Sequence, residues 1–152
     1  MKVVIQRVTE ASVEIEEAIY SSIKNGLLVL LGISVADEKE DVDWLCKKII
    51  GLRIFSDENE LMNLSVKDIN GQILLVSQFT LYGDANKGNR PSFIQAARPE
   101  KAIPLYEYFI QQLCKNDINV YTGKFGADMK VSLTNDGPVT IIIDSKKHTN
   151  DH

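Results

Sequence analysis

Met129–Asp144 reads MKVSLTNDGPVTIIID. Met129, Val131 and Leu133 alternate with Lys130, Ser132 and Thr134; beyond Asn135-Asp136-Gly137-Pro138, Val139, Ile141 and Ile143 alternate with Thr140 and Asp144. A period of two puts apolar side chains on one face of a strand and polar ones on the other, so both runs predict half-buried antiparallel strands. The four residues between them carry a turn signal. Asn and Asp bond nearby backbone, Gly permits positive φ and Pro fixes its own, so the local reading is a hairpin. Pro138 fits this awkwardly, since it stands immediately before a strong strand to whose ladder it has no N–H to donate. Only about 5–6% of X-Pro bonds in folded proteins are cis, and nothing local marks this one as such.

The same alternation recurs in Ala11, Val13 and Ile15 against Ser12 and Glu14. Gly26–Ile33 and Ile73–Phe79 are instead continuous apolar runs, the pattern of central strands covered on both faces. Shorter strands are expected at Arg53–Ser56, Leu64–Asp68 and Asn119–Lys124. Two segments have a helical period. From Asp37 to Gly51 the stripe is Val42, Leu45, Cys46, Ile49 and Ile50, with Asp37, Glu38, Glu40 and Asp41 near the end where the helix dipole favours carboxylates. From Pro99 to about Lys115 it is Ala102, Leu105, Tyr106, Phe109, Ile110 and Leu113, with Pro104 expected to loosen the first turn. These elements predict one α/β domain of the α+β type over residues 1–145: a large, mostly antiparallel, barrel-like sheet with two covering helices. Residues 146–152 read as a polar, disordered tail.

Composition narrows the chemistry. The 152 residues contain two histidines, His148 and His152, both in the closing KKHTNDH. A serine–histidine or cysteine–histidine mechanism, or a zinc site built on imidazole, needs a histidine held by packing, which a terminal tail rarely supplies. The two cysteines, Cys46 and Cys114, fall on or beside the helical stripes and read as packed, reduced thiols. Two cysteines are also too few for the usual three or four ligands of a zinc site. A net charge of −4 argues against a nonspecific nucleic-acid coat, because such binding rests on Lys and Arg neutralising phosphates. MKVVIQRV is no export signal and the longest apolar run, Leu27–Leu31, is far short of a membrane span, so a cytoplasmic location is expected.

Two further segments carry chemistry. In VSQFTLYGD, Val76–Asp84, a core strand runs out into a glycine-containing loop at Ser77, Gln78 and Thr80. These are polar residues ending a strand, or hydroxyl, amide and backbone donors placed to stabilise an oxyanion. A hydroxyl without a histidine is a poor nucleophile. In ANKGNRPSFIQAARPEK, Ala85–Lys101, four cations stand against Glu100 alone, for a local charge of +3. That is a phosphate-facing loop or a solvated one.

Together these segments resemble the D-aminoacyl-tRNA deacylases, nearly end to end: VVIQRVTEASV, GLLVLLGI, the helix with Asp41 and Trp44, SQFTLYGD followed by KGNRPSF, PLYEYF, and TGKFGADMKVSLTNDGPVTIIID. The family's Ser-Gln-x-x-Leu motif is matched by Ser77, Gln78 and Leu81, and its Asn-x-Gly-Pro-x-Thr motif by Asn135, Gly137, Pro138 and Thr140. One departure is Glu16-Glu17 where the family usually has an Asp-Gly turn, which puts the geometry of the first hairpin in question.

The resemblance implies a proofreading hydrolase of D-aminoacyl esters at the 3′ end of tRNA, with glycyl-tRNA a further candidate substrate. It also implies a homodimer without metal or cofactor, whose cis Gly137–Pro138 pair enters the partner's pocket and excludes L-residues. Ser77, Gln78 and Thr80 become the catalytic candidates. Arg7 would orient the motif, Arg7, Phe79, Asn135 and Thr140 would join Gly137 and Pro138 in binding the substrate, and Phe125, Gly126 and Met129 would border the adenine pocket. The alternatives are a non-catalytic dimeric module binding nucleic acid or protein on the same fold, and a general serine esterase, against which the histidine count stands.

Overall fold

In the computed structural model, which describes residues 1–149, strand β1 (Lys2–Ile15) organises the sheet because three others pair with it. Its first half is antiparallel to β3 (Gly26–Gly32), its second half to β2 (Ala18–Ile23), and its other edge to β8 (Lys130–Asp144) along nearly its whole length. β3 continues in parallel to β6 (Gln72–Ser77), and β6 in parallel to β7 (Asn119–Thr122). The Ser21 hydroxyl donates to the Thr122 carbonyl at 2.8 Å, bringing β2 beside the far strand β7 and curling the sheet toward a barrel. Two-stranded β4 (Phe55–Ser56) and β5 (Met62–Leu64) stand apart. The strand expected at Leu64–Asp68 stops at Leu64, because Ser65 and Asp68 cap each other in a turn: the Ser65 N–H donates to the Asp68 carboxylate at 2.9 Å.

Apolar residues fill two cores. Helices α1 (Lys39–Gly51) and α2 (Pro99–Cys114) bring Val42, Leu45, Ile49, Leu105, Phe109 and Leu113 onto one sheet face, against Val3, Ile5, Leu27, Val29, Ile73 and Leu75. Inside the curl, Val8, Ala11, Val13, Ile23, Leu28, Leu74 and Val76 make the second core. β3 and β6 feed both, which is why their sequences are apolar without alternation. α2 passes through Pro104 unbroken. Cys46 is buried, and burial pushes its thiol pKa far up; Cys114, expected to pack, is exposed at the end of α2.

Asn135–Pro138 is not a hairpin. Both runs flanking it pair with β1 in the same direction, so they belong to one strand. Between the pairs Gln6–Thr140 and Glu10–Thr134, β8 has five residues where β1 has three, and the surplus bulges outward. The side chain of Asn135 bridges the bulge: its Oδ1 accepts the Val139 N–H at 2.7 Å and its Nδ2 donates to the Thr140 hydroxyl at 3.0 Å. Pro138 therefore lies outside the ladder it could not have joined. Here the β1–β8 ribbon also changes cores, from Val139, Ile141 and Ile143 on the helix side to Val131 and Leu133 inside the curl.

Helix α1 starts two residues later than its acidic run predicts, because the Asp37 carboxylate turns inward. It accepts the Met1 amine at 2.6 Å and the Ser34 N–H at 2.6 Å, with no exposure at either charge. Asp41, at the third position of the helix, accepts the Ser145 hydroxyl at 2.6 Å and pairs with Lys146 at 3.0 Å. Burial alone would raise the Asp41 pKa, but the Ser145 hydroxyl, the Glu38 backbone and Lys146 hold it below the ordinary carboxylate value. Ser145 and Lys146 open a short helix, α3 (Ser145–Thr149), where a tail was expected; residues 150–152 of that tail lie outside the described residues.

The first hairpin keeps its tight turn without the expected glycine. Ile15 pairs with Ala18, and Glu16 and Glu17 take φ values of 51° and 64°, the mirror-image turn that suits strand twist and favours Asn-Gly. Each L-residue with a Cβ is strained there, by roughly 1–2 kcal/mol in the left-handed region. Replacing Glu16-Glu17 by Asn-Gly is therefore expected to stabilise the fold by about 1–2 kcal/mol, raising Tm by about 3–6 °C for a domain of this size. Thermal unfolding of the double variant checks it; an unchanged or lower Tm would show that the two carboxylates offset the strain.

Candidate active site

At the end of β6, Ser77 pairs with Leu31, and the Gln78 N–H donates to the Leu31 carbonyl at 2.7 Å. The chain then leaves the sheet two residues before the expected strand end, in one 3₁₀ turn over Phe79–Tyr82. Leu81 N–H donates to the Gln78 carbonyl at 3.2 Å, and Gly83 N–H to the Thr80 carbonyl at 2.9 Å. Gly32 makes the seat for this turn, since a Cβ there would stand 3.0 Å from Leu81 Cβ and 3.2 Å from the Gln78 carbonyl oxygen. Tyr82 anchors its far end: Lys2 lies over its ring at 4.6 Å, while burial and then the Asp37 charge push its pKa up.

The turn presents donors. As in the first turn of any helix, the leading amides have no intrahelical acceptor, and among the described residues the N–H groups of Phe79 and Thr80 meet no backbone acceptor. The Gln78 side-chain amide donates to the Thr80 hydroxyl oxygen. No basic side chain among the described residues is hydrogen-bonded to that hydroxyl, so it lacks the partner an activated nucleophile requires.

A loop after β7 faces this turn. Gly123 N–H donates to the Leu75 carbonyl at 3.2 Å, and the Met129 sulfur occupies the space a Cβ on Gly123 would need, 2.5 Å away. Gly126 has a φ of +79°, a conformation that glycine adopts freely. The Phe125 ring leans on Tyr106 of α2 at 5.7 Å, and burial raises the Tyr106 hydroxyl to about 12. Ser77, Gln78, Phe79, Phe125, Gly126 and Met129 thus converge on one pocket of about 280 Å³ at the mouth of the inner core.

The other expected site residues lie elsewhere on the same chain. Arg7 pairs with Leu27, four residues along β3 from the Leu31 that holds Gln78, a separation of about 13 Å at the usual rise of a strand. There the Arg7 guanidinium, 9% exposed, donates to the Asp136 carbonyl at 2.9 Å and the Ile54 carbonyl at 2.7 Å. It supports the bulge from beneath. Gly137 and Pro138, joined by a cis peptide bond, stand exposed above it, with Asn135 and Thr140 linked as described. One chain therefore holds two separate groups of site residues.

The family model described as D-Tyr-tRNA(Tyr) deacylase matches residues 4–144. The chain belongs to this family. Among curated relatives of this D-Tyr-tRNA(Tyr) deacylase family member, the D-aminoacyl-tRNA deacylase of Flavobacterium psychrophilum is 64% identical over 147 residues, covering 96% of this chain and 98% of that one. The one from Thermotoga petrophila is 56% identical over 147 residues, covering 97% and 99%. A solved structure named c-Myc DNA Unwinding Element Binding Protein superposes with a TM-score of 0.89 at 44% identity, covering 95% of this chain and 98% of that one. A probable eukaryotic D-amino acid tRNA deacylase shares the fold, with a TM-score of 0.77 at 17% identity and coverage of 93% and 97%.

One part of the family member's surface was not anticipated. Beside the pocket, sharing Phe79, Phe125 and Gly126 with it, lies a groove of about 670 Å³ that adds Val35, Phe93, Ile94 and Arg98. The available signal was Phe93-Ile94, an apolar pair inside an otherwise polar, basic segment. That segment divides: Lys87 and Arg90 sit on an exposed loop closed by the Asp84–Ser92 bridge, Arg98 reaches the groove, and Lys101 is committed to the Val35 carbonyl at 2.6 Å and to Glu38 at 3.7 Å. No helix among the described residues is long and apolar enough to cross a membrane, and none of their His, Cys, Asp and Glu side chains cluster as a metal site.

Proposed function

We propose that this protein hydrolyses the ester joining a D-amino acid to the 3′-terminal adenosine of tRNA, releasing the free amino acid and the tRNA. The observation that carries the reading is the convergence of Ser77, Gln78 and Phe79 with Phe125, Gly126 and Met129 on one pocket, in a member of this family. An aromatic ring and a thioether suit a base, and the turn's amides suit a carbonyl oxygen that becomes an oxyanion. Water adds to the ester carbonyl carbon, the bond to the ribose oxygen breaks, and the proton from water passes to that oxygen. Because an aminoacyl ester is already activated, orientation and oxyanion stabilisation suffice, with the free ribose hydroxyl assisting the water.

Chirality is tested by exclusion. Gly137 and Pro138 of a second copy, entering the pocket, would occupy the space an L-side chain needs. Two features support a homodimer: the two groups of site residues are too far apart to act on one ester within a chain, and the chain exposes 9117 Å², against roughly 7,700 Å² for a typical monomer of its mass. Glycine, with no side chain to exclude, is then a substrate as well.

With purified protein and a chelator, D-tyrosyl-tRNA is expected to be hydrolysed and L-tyrosyl-tRNA spared. Thr80→Val should retain turnover within about tenfold, the loss of one modest hydrogen bond. An acyl-Thr80 adduct, or abolished turnover with binding intact, would instead assign the nucleophile to Thr80. The name of the 44%-identical DNA-binding structure favours a second reading, a nucleic-acid-binding module; binding without turnover would select it.

A further inference from the structure

We infer that the Phe79–Phe93–Arg98 groove is a second RNA subsite, which receives the nucleotide immediately 5′ of the terminal adenosine; the inference rests on the deacylase reading above. Three observations point to it. The groove is continuous with the pocket through Phe79, Phe125 and Gly126, so it offers a path along which a strand whose last nucleotide enters the pocket can leave. Its size, about 670 Å³, falls within the about 300–1,000 Å³ typical of small-molecule sites. Its chemistry is that of single-stranded nucleic-acid recognition, an aromatic and aliphatic platform beside a cation.

The platform is unusual for an ordinary surface. Phe79 is 55% exposed and Ile94 80%, with Val35 and Phe93 also exposed. Phe79 and Phe93 meet edge to face at 5.3 Å, which holds both rings in place, and Phe93 also rests over Gly83, where a Cβ would come within 2.9 Å of its ring. Arg98 lines the groove, and among the described residues no carboxylate forms an ion pair with it, whereas its neighbour Lys101 is committed to Glu38. Its side chain also does not cap α2, so the guanidinium is available to a phosphate. A base on the rings and its phosphate on Arg98 would satisfy both features. A second copy of the chain could cover the apolar rings, but it would not require the cation.

The test compares two substrates, D-tyrosyl-tRNA and the D-tyrosyl ester of adenosine, with wild-type protein, Phe93→Ala and Arg98→Gln. Phe93→Ala is expected to lower the ratio of kcat/KM on tRNA to kcat/KM on the adenosine ester about tenfold, the effect of one stacked base. Arg98→Gln, on the surface at the N-cap of α2 where the side chain makes no capping bond, is expected to reduce the salt dependence of log kcat/KM on tRNA by about 0.7 in slope, one phosphate on a single strand. Equal losses on both substrates, or an unchanged ratio and salt slope, would overturn the subsite. Loss on both accompanied by dissociation in sedimentation would assign the groove to a second copy. If wild-type protein hydrolyses neither substrate, the deacylase reading fails by itself. Fluorescence anisotropy with a 3′-overhanging RNA hairpin then decides the groove alone: binding weakened in both variants supports it, and equal binding refutes it.

Discussion

Gly137→Ala is expected to lower kcat/KM on D-aminoacyl-tRNA about 100-fold, the scale on which a displacement near 1 Å at a reacting centre is felt. A Cβ on Gly137 would stand 2.7 Å from Val139 Cγ2, 3.0 Å from the Val139 nitrogen and 3.2 Å from an Arg7 guanidinium nitrogen. None of these can retreat freely. Val139 is 8% exposed, with its N–H held by Asn135, and Arg7 is fixed by the carbonyls of Asp136 and Ile54. The residue's φ of +139° adds strain for any L-side chain, of order 1–3 kcal/mol. The bulge must therefore shift outward, moving the Gly137 and Pro138 carbonyls. Rates on D- and L-tyrosyl-tRNA, measured together with sedimentation, check this: slower D-hydrolysis or new L-hydrolysis is expected with the sedimentation of the wild type unchanged. Unchanged rates on both would remove the motif from the site.

Gly26→Ala is expected to act on the fold, destabilising it by about 3 kcal/mol or more, the range of severe overpacking. Gly26 opens β3 opposite Gln72 of β6, and a Cβ there would lie 1.8 Å from the Gln72 carbonyl oxygen and 2.7 Å from its nitrogen. Both obstacles are backbone. The parallel pair has to separate at its first rung, and it is the pair that feeds both cores through Leu27, Leu28, Ile73 and Leu74. Thermal unfolding should show Tm lower by about 6–12 °C. A Tm within about 2 °C of wild type would mean the strands open at this end without cost.

The fate of particular residues explains what could be read from the chain alone. Elements defined by their own period were legible: the stripes of α1 and α2, and the doubly covered runs of β3 and β6. Ser77–Thr80 was legible as a strand end, and the turn there begins two residues early because Gly32 offers a seat that only the folded pairing reveals. Asn135–Pro138 was misread for a physical reason. The residues that let a chain reverse also let it bulge, and the choice depends on whether the flanking runs pair with each other or with a third strand, here β1 more than a hundred residues away. Phe93, Ile94 and Arg98 belong to the same class: two exposed apolar residues and one cation in a polar loop carry no period, and become a groove only when Val35 and Phe125 arrive from distant elements.

The surplus in β8 also governs which changes in chain length the fold can absorb. Val131, Leu133, Val139, Ile141 and Ile143 all point to a core, and a slip of one residue along a strand exchanges its two faces. Removing or adding a single residue between Asn135 and Val139 would turn either the helix-side trio or the inner pair of side chains to solvent, whereas a change of two would leave every one facing as before. The motif is thus confined by parity as well as by residue identity: descendants of this chain can lengthen or shorten the bulge only in even steps while both cores remain filled.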